Sequence, residues 1–134
     1  LTGIVTAVSS TLAIGLLLGA QRETLLSLAP RSVTSPIAMG VAEQIGGIPS
    51  LAAGLVLLTG SVGCALGPWL FRRLKIEDPS VQGFTMGLAA HGFGTAQSFA
   101  SLGAVAGAFA GLAMGLTGMF TAFLLPLIVA LFGL

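Results

Sequence analysis

Pro30-Arg31-Ser32-Val33-Thr34-Ser35-Pro36-Ile37-Ala38 places one cation, three hydroxyls and two prolines in otherwise apolar surroundings. Pro36 disfavours the helical conformation at Ser35 and suits the first turn of a new helix. The stretch therefore predicts a helix that arrives through Leu25 to Ala29, breaks, and restarts. A restarted helix leaves first-turn N–H groups open, which Ser32, Thr34 or Ser35 can cap. Arg31 stands just upstream, on the side to which the positive end of the helix dipole points. Charge, amides and hydroxyls together make a ready anion site.

The surroundings decide the fold class. Of 134 residues 55% are hydrophobic and 7% charged, against roughly 25% charged in a soluble domain. Mean hydropathy is +1.06. Apolar runs of about 20 residues recur along the whole chain, which predicts an all-α integral membrane protein forming one transmembrane domain over residues 1–134. The first run has no basic flank before it and no cleavage site followed by a soluble domain, so it reads as a spanning helix rather than a signal peptide. A net charge of +1 gives no reason to expect nucleic acid. Cys64, the single cysteine, excludes an internal disulfide and reads as a small packing residue.

Five spanning segments are expected, over residues 2–20, 24–44, 51–71, 80–101 and 104–132. The second is interrupted by Pro30 to Pro36. The fourth is interrupted by Ala90-His91-Gly92-Phe93-Gly94-Thr95-Ala96-Gln97-Ser98 about halfway along. Gly107, Gly111 and Gly115 of the fifth form a small-xxx-small ridge suited to close helix packing. If all five cross, Arg22, Arg72, Arg73 and Lys75 share one side while the other side has no basic residue, as the positive-inside rule favours. Re-entry of the second segment would instead put Arg22 opposite the 72–75 cluster. Arg31 then lies about nine residues, or roughly 13 Å, from the inner end, and His91 also lies near the midplane.

Interrupted helices at membrane depth resemble those of secondary transporters, because non-helical backbone is tolerated there only against protein or a water-filled cavity. The two breaks predict a shared cavity that binds a small organic anion. Arg31, Ser32, Thr34 and Ser35 would hold it on one side, with His91, Gly94, Thr95 and Gln97 on the other. Each has a plainer reading. Arg31 can snorkel to the interface, the hydroxyls can bond back to the preceding turn, and a lone His can be a hydrogen-bonded core residue. Glu43 is a secondary candidate that reads more readily as interfacial than as a proton carrier. His91 has no second ligand at metal-binding spacing, so no metal or cofactor is expected. Paired carboxylates, a nucleophile elbow and a phosphate loop are all lacking, which argues against an enzyme.

Further motifs carry a resemblance. Pro30 to Ala38, Gly46-Gly47-Ile48-Pro49-Ser50-Leu51, Leu58-Thr59-Gly60 with Gly67-Pro68, Gly87-Leu88-Ala89-Ala90-His91-Gly92-Phe93-Gly94-Thr95-Ala96 and Leu112-Ala113-Met114-Gly115-Leu116-Thr117-Gly118 resemble, in order, the motifs of the LrgB/CidB antiholin-like family. The family includes bacterial proteins described as regulators of murein hydrolase export, and the plastid glycolate/glycerate transporter looks similar to them over this region. The resemblance implies transport of small monocarboxylates such as glycolate, glycerate or pyruvate. Its alternative is an antiholin-like regulator that assembles with itself or with a holin-like membrane partner. The implied location is a bacterial inner membrane, or a plastid envelope if the source is a plant. Family members usually carry Lys where this chain has Arg31 and Thr where it has Ser35, changes that keep charge and hydroxyl. They are also longer at the N-terminus, so this chain looks like the C-terminal part of such a protein. By analogy with bile-acid-symporter-like transporters, five segments would be one half of an inverted-repeat transporter.

Overall fold

The computed structural model describes residues 2–132, and the regular structure among them is entirely helical. In chain order come α1 (Thr2–Leu17), α2 (Arg22–Leu28), α3 (Ser35–Ile45), α4 (Pro49–Leu74), α5 (Pro79–Gln97), a π-helical turn (Ser98–Leu102) and α6 (Ala104–Phe132). Two stretches, Pro49–Leu74 and Ala104–Leu131, are long and apolar enough to cross a bilayer, and Val5–Leu17 is a shorter apolar helix. The 26 residues of α4 extend about 39 Å, beyond the ~30 Å hydrocarbon layer. The helices pack as two compact units, Leu1–Val56 with Thr117–Leu134, and Leu57–Leu116.

In the first unit α1 ends in a tight turn. Gly19 takes a φ of 69° there, and the Ala20 N–H bonds back to the Gly15 carbonyl at 2.9 Å. Helix α2 then runs back along α1, with the Leu25 side chain lying over Gly15. After a break at residues 29–34, α3 returns alongside α2. Leu26 and Ala29 pack with Val41, Ile45 and Leu125 in one buried cluster. The close point is Gly47, where an added Cβ would sit 2.9 Å from the Ser27 backbone nitrogen. Ile48 N–H donates to Ser27 Oγ at 2.7 Å, and Ser27 Oγ–H donates to the Glu23 carbonyl at 2.6 Å. In a straight helix residues 27 and 48 would be about 30 Å apart. Residues 22–47 are therefore a helical hairpin whose tip is the Pro30–Thr34 break.

The second unit repeats the device. Residues 79–90 run antiparallel to α4, with Met86 over Gly67 and Ala90 against Gly63, where a Cβ would lie 2.9 Å from that of Ala90. At His91 the backbone leaves helical geometry (φ 48°, ψ −123°) and reverses. The returning leg brings Gly94 back against the Met86 carbonyl and Phe99 over Gly107. Helix α6 then starts beside the base of the hairpin, and Gly83 and Gly87 face the carbonyls of Ala106 and Ala110. A straight helix would put residue 102 about 28 Å beyond Gly83, so only a reversal brings Ala106 within reach.

These contacts leave the expected count of five crossings unconfirmed, because the second and fourth stretches do not run straight. Both double back, because each is two half-helices joined at a break. The charge count that favoured five crossings assumed full traversal and no longer applies. The expected ridge is met only at Gly107, which lies against the Phe99 ring. Gly115 has open space around it and Gly111 makes only an ordinary contact with Thr95, whereas the tight backbone approach falls at Gly83 and Gly87. Lipid tails are as apolar as leucine, so such van der Waals contact holds helices together here in place of a hydrophobic driving force.

Asp78 starts the second hairpin as N-cap of α5, accepting from Ser80 N–H at 2.8 Å and Ser80 Oγ–H at 2.6 Å. The Ser80 hydroxyl first, then its amide, hold the Asp78 carboxyl below its usual 3.8. A lowered native pKa contributes stability above the unfolded value, which is lost as pH falls through the native one. Asp78→Ala is therefore expected to lower the melting temperature in detergent at pH 7, with the deficit closing below pH 3.8. A deficit independent of pH contradicts the cap.

Packing makes a second prediction. Gly87→Ala, which meets backbone that cannot yield, is expected to destabilise by about 1–3 kcal/mol. Gly115→Ala in open space is expected to be neutral or to gain up to about 1 kcal/mol from helix propensity. Thermal unfolding of both variants in one detergent checks the contrast.

Candidate functional site: two polar hairpin tips

Each hairpin carries its polar residues at its tip. In the first, α3 begins at Thr34 with extended backbone (φ −72°, ψ 152°), and Pro36 occupies the first turn. The Thr34 hydroxyl makes no capping hydrogen bond. The expectation that a hydroxyl caps the new helix is thus not met at Thr34, the position where the cap falls, because the chain enters α3 through backbone and proline geometry alone. Ser32, Thr34 and Ser35 are all half-buried around the start of α3.

Arg31, also half-buried, is held from α1. Its Nε–H donates to Thr11 Oγ1 at 2.6 Å, and Thr11 Oγ1–H donates on to the Ala7 carbonyl at 2.6 Å. Thr11 is 7% exposed, so this relay lies within the packed helices. Using the Nε edge of the guanidinium leaves the edge with the two terminal nitrogens, the geometry that grips a carboxylate with two parallel hydrogen bonds. Full snorkelling of Arg31 to the interface is incompatible with this anchor. Glu43, on the last turn of α3, is exposed and distant in sequence from the tip.

The second tip is built around strain. His91 is 2% exposed and takes a positive φ that side-chain-bearing residues rarely adopt, although Gly92 stands beside it. Such an outlier costs on the order of 1–3 kcal/mol and persists only where its surroundings enforce it. Thr95 does part of that, donating from Oγ1 to the His91 carbonyl at 2.8 Å. Gly94 has a packing reason to be glycine, its contact with Met86. Gln97 is half-buried, and its Oε1 is buried with no hydrogen-bond partner among the described residues. Thus His91, Gly94 and Thr95 come together at one tip, with Gln97 a turn further along the returning leg.

Two participants escaped sequence reading. Thr11 is an ordinary hydroxyl in an apolar helix until α2 brings Arg31 beside it. Ser27 is fully buried and bonded at both ends of its hydroxyl, but from sequence it is one more small polar residue.

Helices long and apolar enough to cross a bilayer, with two helical hairpins carrying polar tips between them, define an all-α membrane protein. The LrgB-like family model matches residues 1–131, and the chain belongs to that family. It is 42% identical to YwbG of Bacillus subtilis over 95 residues, 71% of this chain and 42% of that protein. It is 32% identical to the holin-like protein CidB of Staphylococcus epidermidis over 114 residues, 85% of this chain and 49% of CidB. YxaC of Bacillus subtilis is 34% identical over the same length. The chain thus spans about half the length of the curated relatives it matches. No solved structure matches it.

Strain at the second tip is directly testable. His91→Gly and His91→Ala both remove the ring, but only glycine accepts the positive φ freely. The glycine variant is expected to be more stable than the alanine variant by about 1–2 kcal/mol. Equal melting temperatures in detergent would show that the backbone is not held as described.

Proposed function

We propose that this LrgB-family protein acts on permeation across the bacterial plasma membrane, a small monocarboxylate such as glycolate, glycerate or pyruvate binding at the polar hairpin tips. The observation that carries this reading is Arg31. A cation anchored through Nε to Thr11 beside the open first turn of α3 offers a carboxylate both a bidentate partner and helix-terminal amides. Ser32, Thr34 and Ser35 supply further donors around it. His91, Gly94, Thr95 and Gln97 line the other tip in the same role, the strained His91 contacting the solute. Neither a coupling ion nor a covalent step enters this scheme, and the protein is read as no enzyme.

A second reading has its own support, and for the family's role it is the more direct. The CidB relatives are named holin-like. On that reading the chain is an antiholin-like regulator that oligomerises, with itself or with a holin-like partner, and acts on murein hydrolase export or lysis. Bacterial relatives also favour a plasma-membrane location.

Proteoliposome uptake of radiolabelled glycolate, glycerate and pyruvate separates the two. Uptake above empty liposomes is expected, with Arg31→Ala weakening apparent affinity about 10- to 100-fold, as loss of charge-assisted hydrogen bonds predicts. Arg31→Lys, which keeps the charge, should retain most of the flux. Absence of flux together with crosslinking to a membrane partner in cells decides for the regulator.

A further inference from the structure

Another polar site lies apart from the His91 tip, at the C-terminal end of α4. Pro68, Phe71, Arg72 and Lys75 of α4 and its C-terminal turn, Ile76 and Glu77, Gln82 of α5 and Leu102 line a cavity of about 360 Å³. Pro68, Phe71 and Leu102 make part of its lining apolar, and Phe71 is buried. Two cations and one carboxylate, Glu77, face it. The other nearby acid, Asp78, is taken up by Ser80 in capping α5. Gln82 Nε2–H donates to the Ile76 carbonyl at 2.6 Å and so pins the 75–77 turn across the cavity.

Basic residues at a helix C-terminus need no special account, since they complement the dipole. Lys75 does. Apart from Gly103 to Ser98 in the π-helical turn, three turns among the described residues close with an N–H bonding back five residues: Ala20 to Gly15, Gly47 to Ala42 and Ile76 to Phe71. Each requires a left-handed residue just before the donor. The first two use Gly19 (φ 69°) and Gly46 (φ 83°), while the third uses Lys75 (φ 54°). At this one turn the chain carries a strained lysine where it elsewhere carries glycine, and that lysine lines the cavity beside Arg72.

We propose that this cavity binds the phosphate of an anionic phospholipid, with Arg72 and Lys75 contacting the headgroup and Pro68, Phe71 and Leu102 receiving the start of its acyl chains. A lipid fits better than a soluble phosphate. The cavity sits at the end of a membrane-crossing helix, part of its lining is apolar, and basic pockets at that level draw anionic lipid from the adjoining leaflet.

The test is thermal unfolding of the chain in neutral detergent, titrated with phosphatidylglycerol, with phosphatidylcholine of the same acyl chains, or with glycerol phosphate. Phosphatidylglycerol is expected to raise the melting temperature, and the other two to leave it unchanged. Arg72→Ala and Lys75→Gly should each weaken apparent affinity for phosphatidylglycerol about fivefold. Lys75→Gly should in addition raise the melting temperature without lipid, because glycine relieves the left-handed strain, which rules out misfolding as the cause of lost binding. Equal stabilisation by phosphatidylcholine overturns the proposal, and so does a full lipid response in Lys75→Gly. Stabilisation by glycerol phosphate alone overturns the lipid source and leaves a soluble phosphate site.

Discussion

A chain that reverses direction at membrane depth must satisfy its backbone there without water, and the rest of this fold follows from how it does so. Both reversals are enclosed by close helix contact that glycine makes possible. Gly47 lets the first hairpin close on Ser27, and Gly83 and Gly87 let the second press its backbone against α6. At these positions a methyl group would strike backbone or a buried hydroxyl, so the packing tolerates no side chain. Val33 at the first tip and His91 at the second are buried among protein atoms, and contact with protein or a water-filled cavity is the condition under which irregular backbone survives in a bilayer.

That enclosure explains why polar residues gather at the two tips. A half-helix that ends inside the membrane exposes amides or carbonyls that need partners, and a charge is tolerated only where it too is partnered. The first tip answers with Arg31 tethered to Thr11, the second with Thr95 bonded to the carbonyl of a strained His91. Chain order is helix, hairpin, helix, hairpin, helix. Interrupted apolar segments at corresponding positions of such a repeating order are where solute-handling membrane proteins place their sites. This is the physical basis on which the tips are proposed as a solute site, whereas the holin-like name of the CidB relatives supports the regulator reading.

The membrane class, the two breaks and the polar residues at them were legible in the sequence, because prolines, hydroxyls and a lone cation stand out against apolar runs. Direction of travel was not. A 21-residue apolar stretch has the hydropathy of one span whether it crosses once or goes halfway and returns, since composition records what surrounds a segment and not where its far end lies. Gly46-Gly47 therefore read as a loop on the far face, when it is the base of a hairpin beside Ser27. The packing ridge held only at Gly107, under the Phe99 ring, for a related reason. Gly107, Gly111 and Gly115 have the right spacing, but the partner helix meets the neighbouring Ala106–Ala110 row, and the glycines that matter are Gly83 and Gly87 opposite it.

Strain adds what spacing could not. Only two residues other than glycine among those described have positive φ, Lys75 and His91. Each stands where glycine would serve the backbone better, His91 with Gly92 adjacent and Lys75 in a turn that the chain twice builds with glycine. Hairpin closure alone accounts for neither, because glycine would close both turns at lower conformational cost. What each side chain brings is chemistry at the end of a helix leg: a buried imidazole at the hairpin tip, and an ammonium in the turn after α4. The two outliers thus mark separate places along the second hairpin, the tip at His91 and the turn that leads into its base at Lys75.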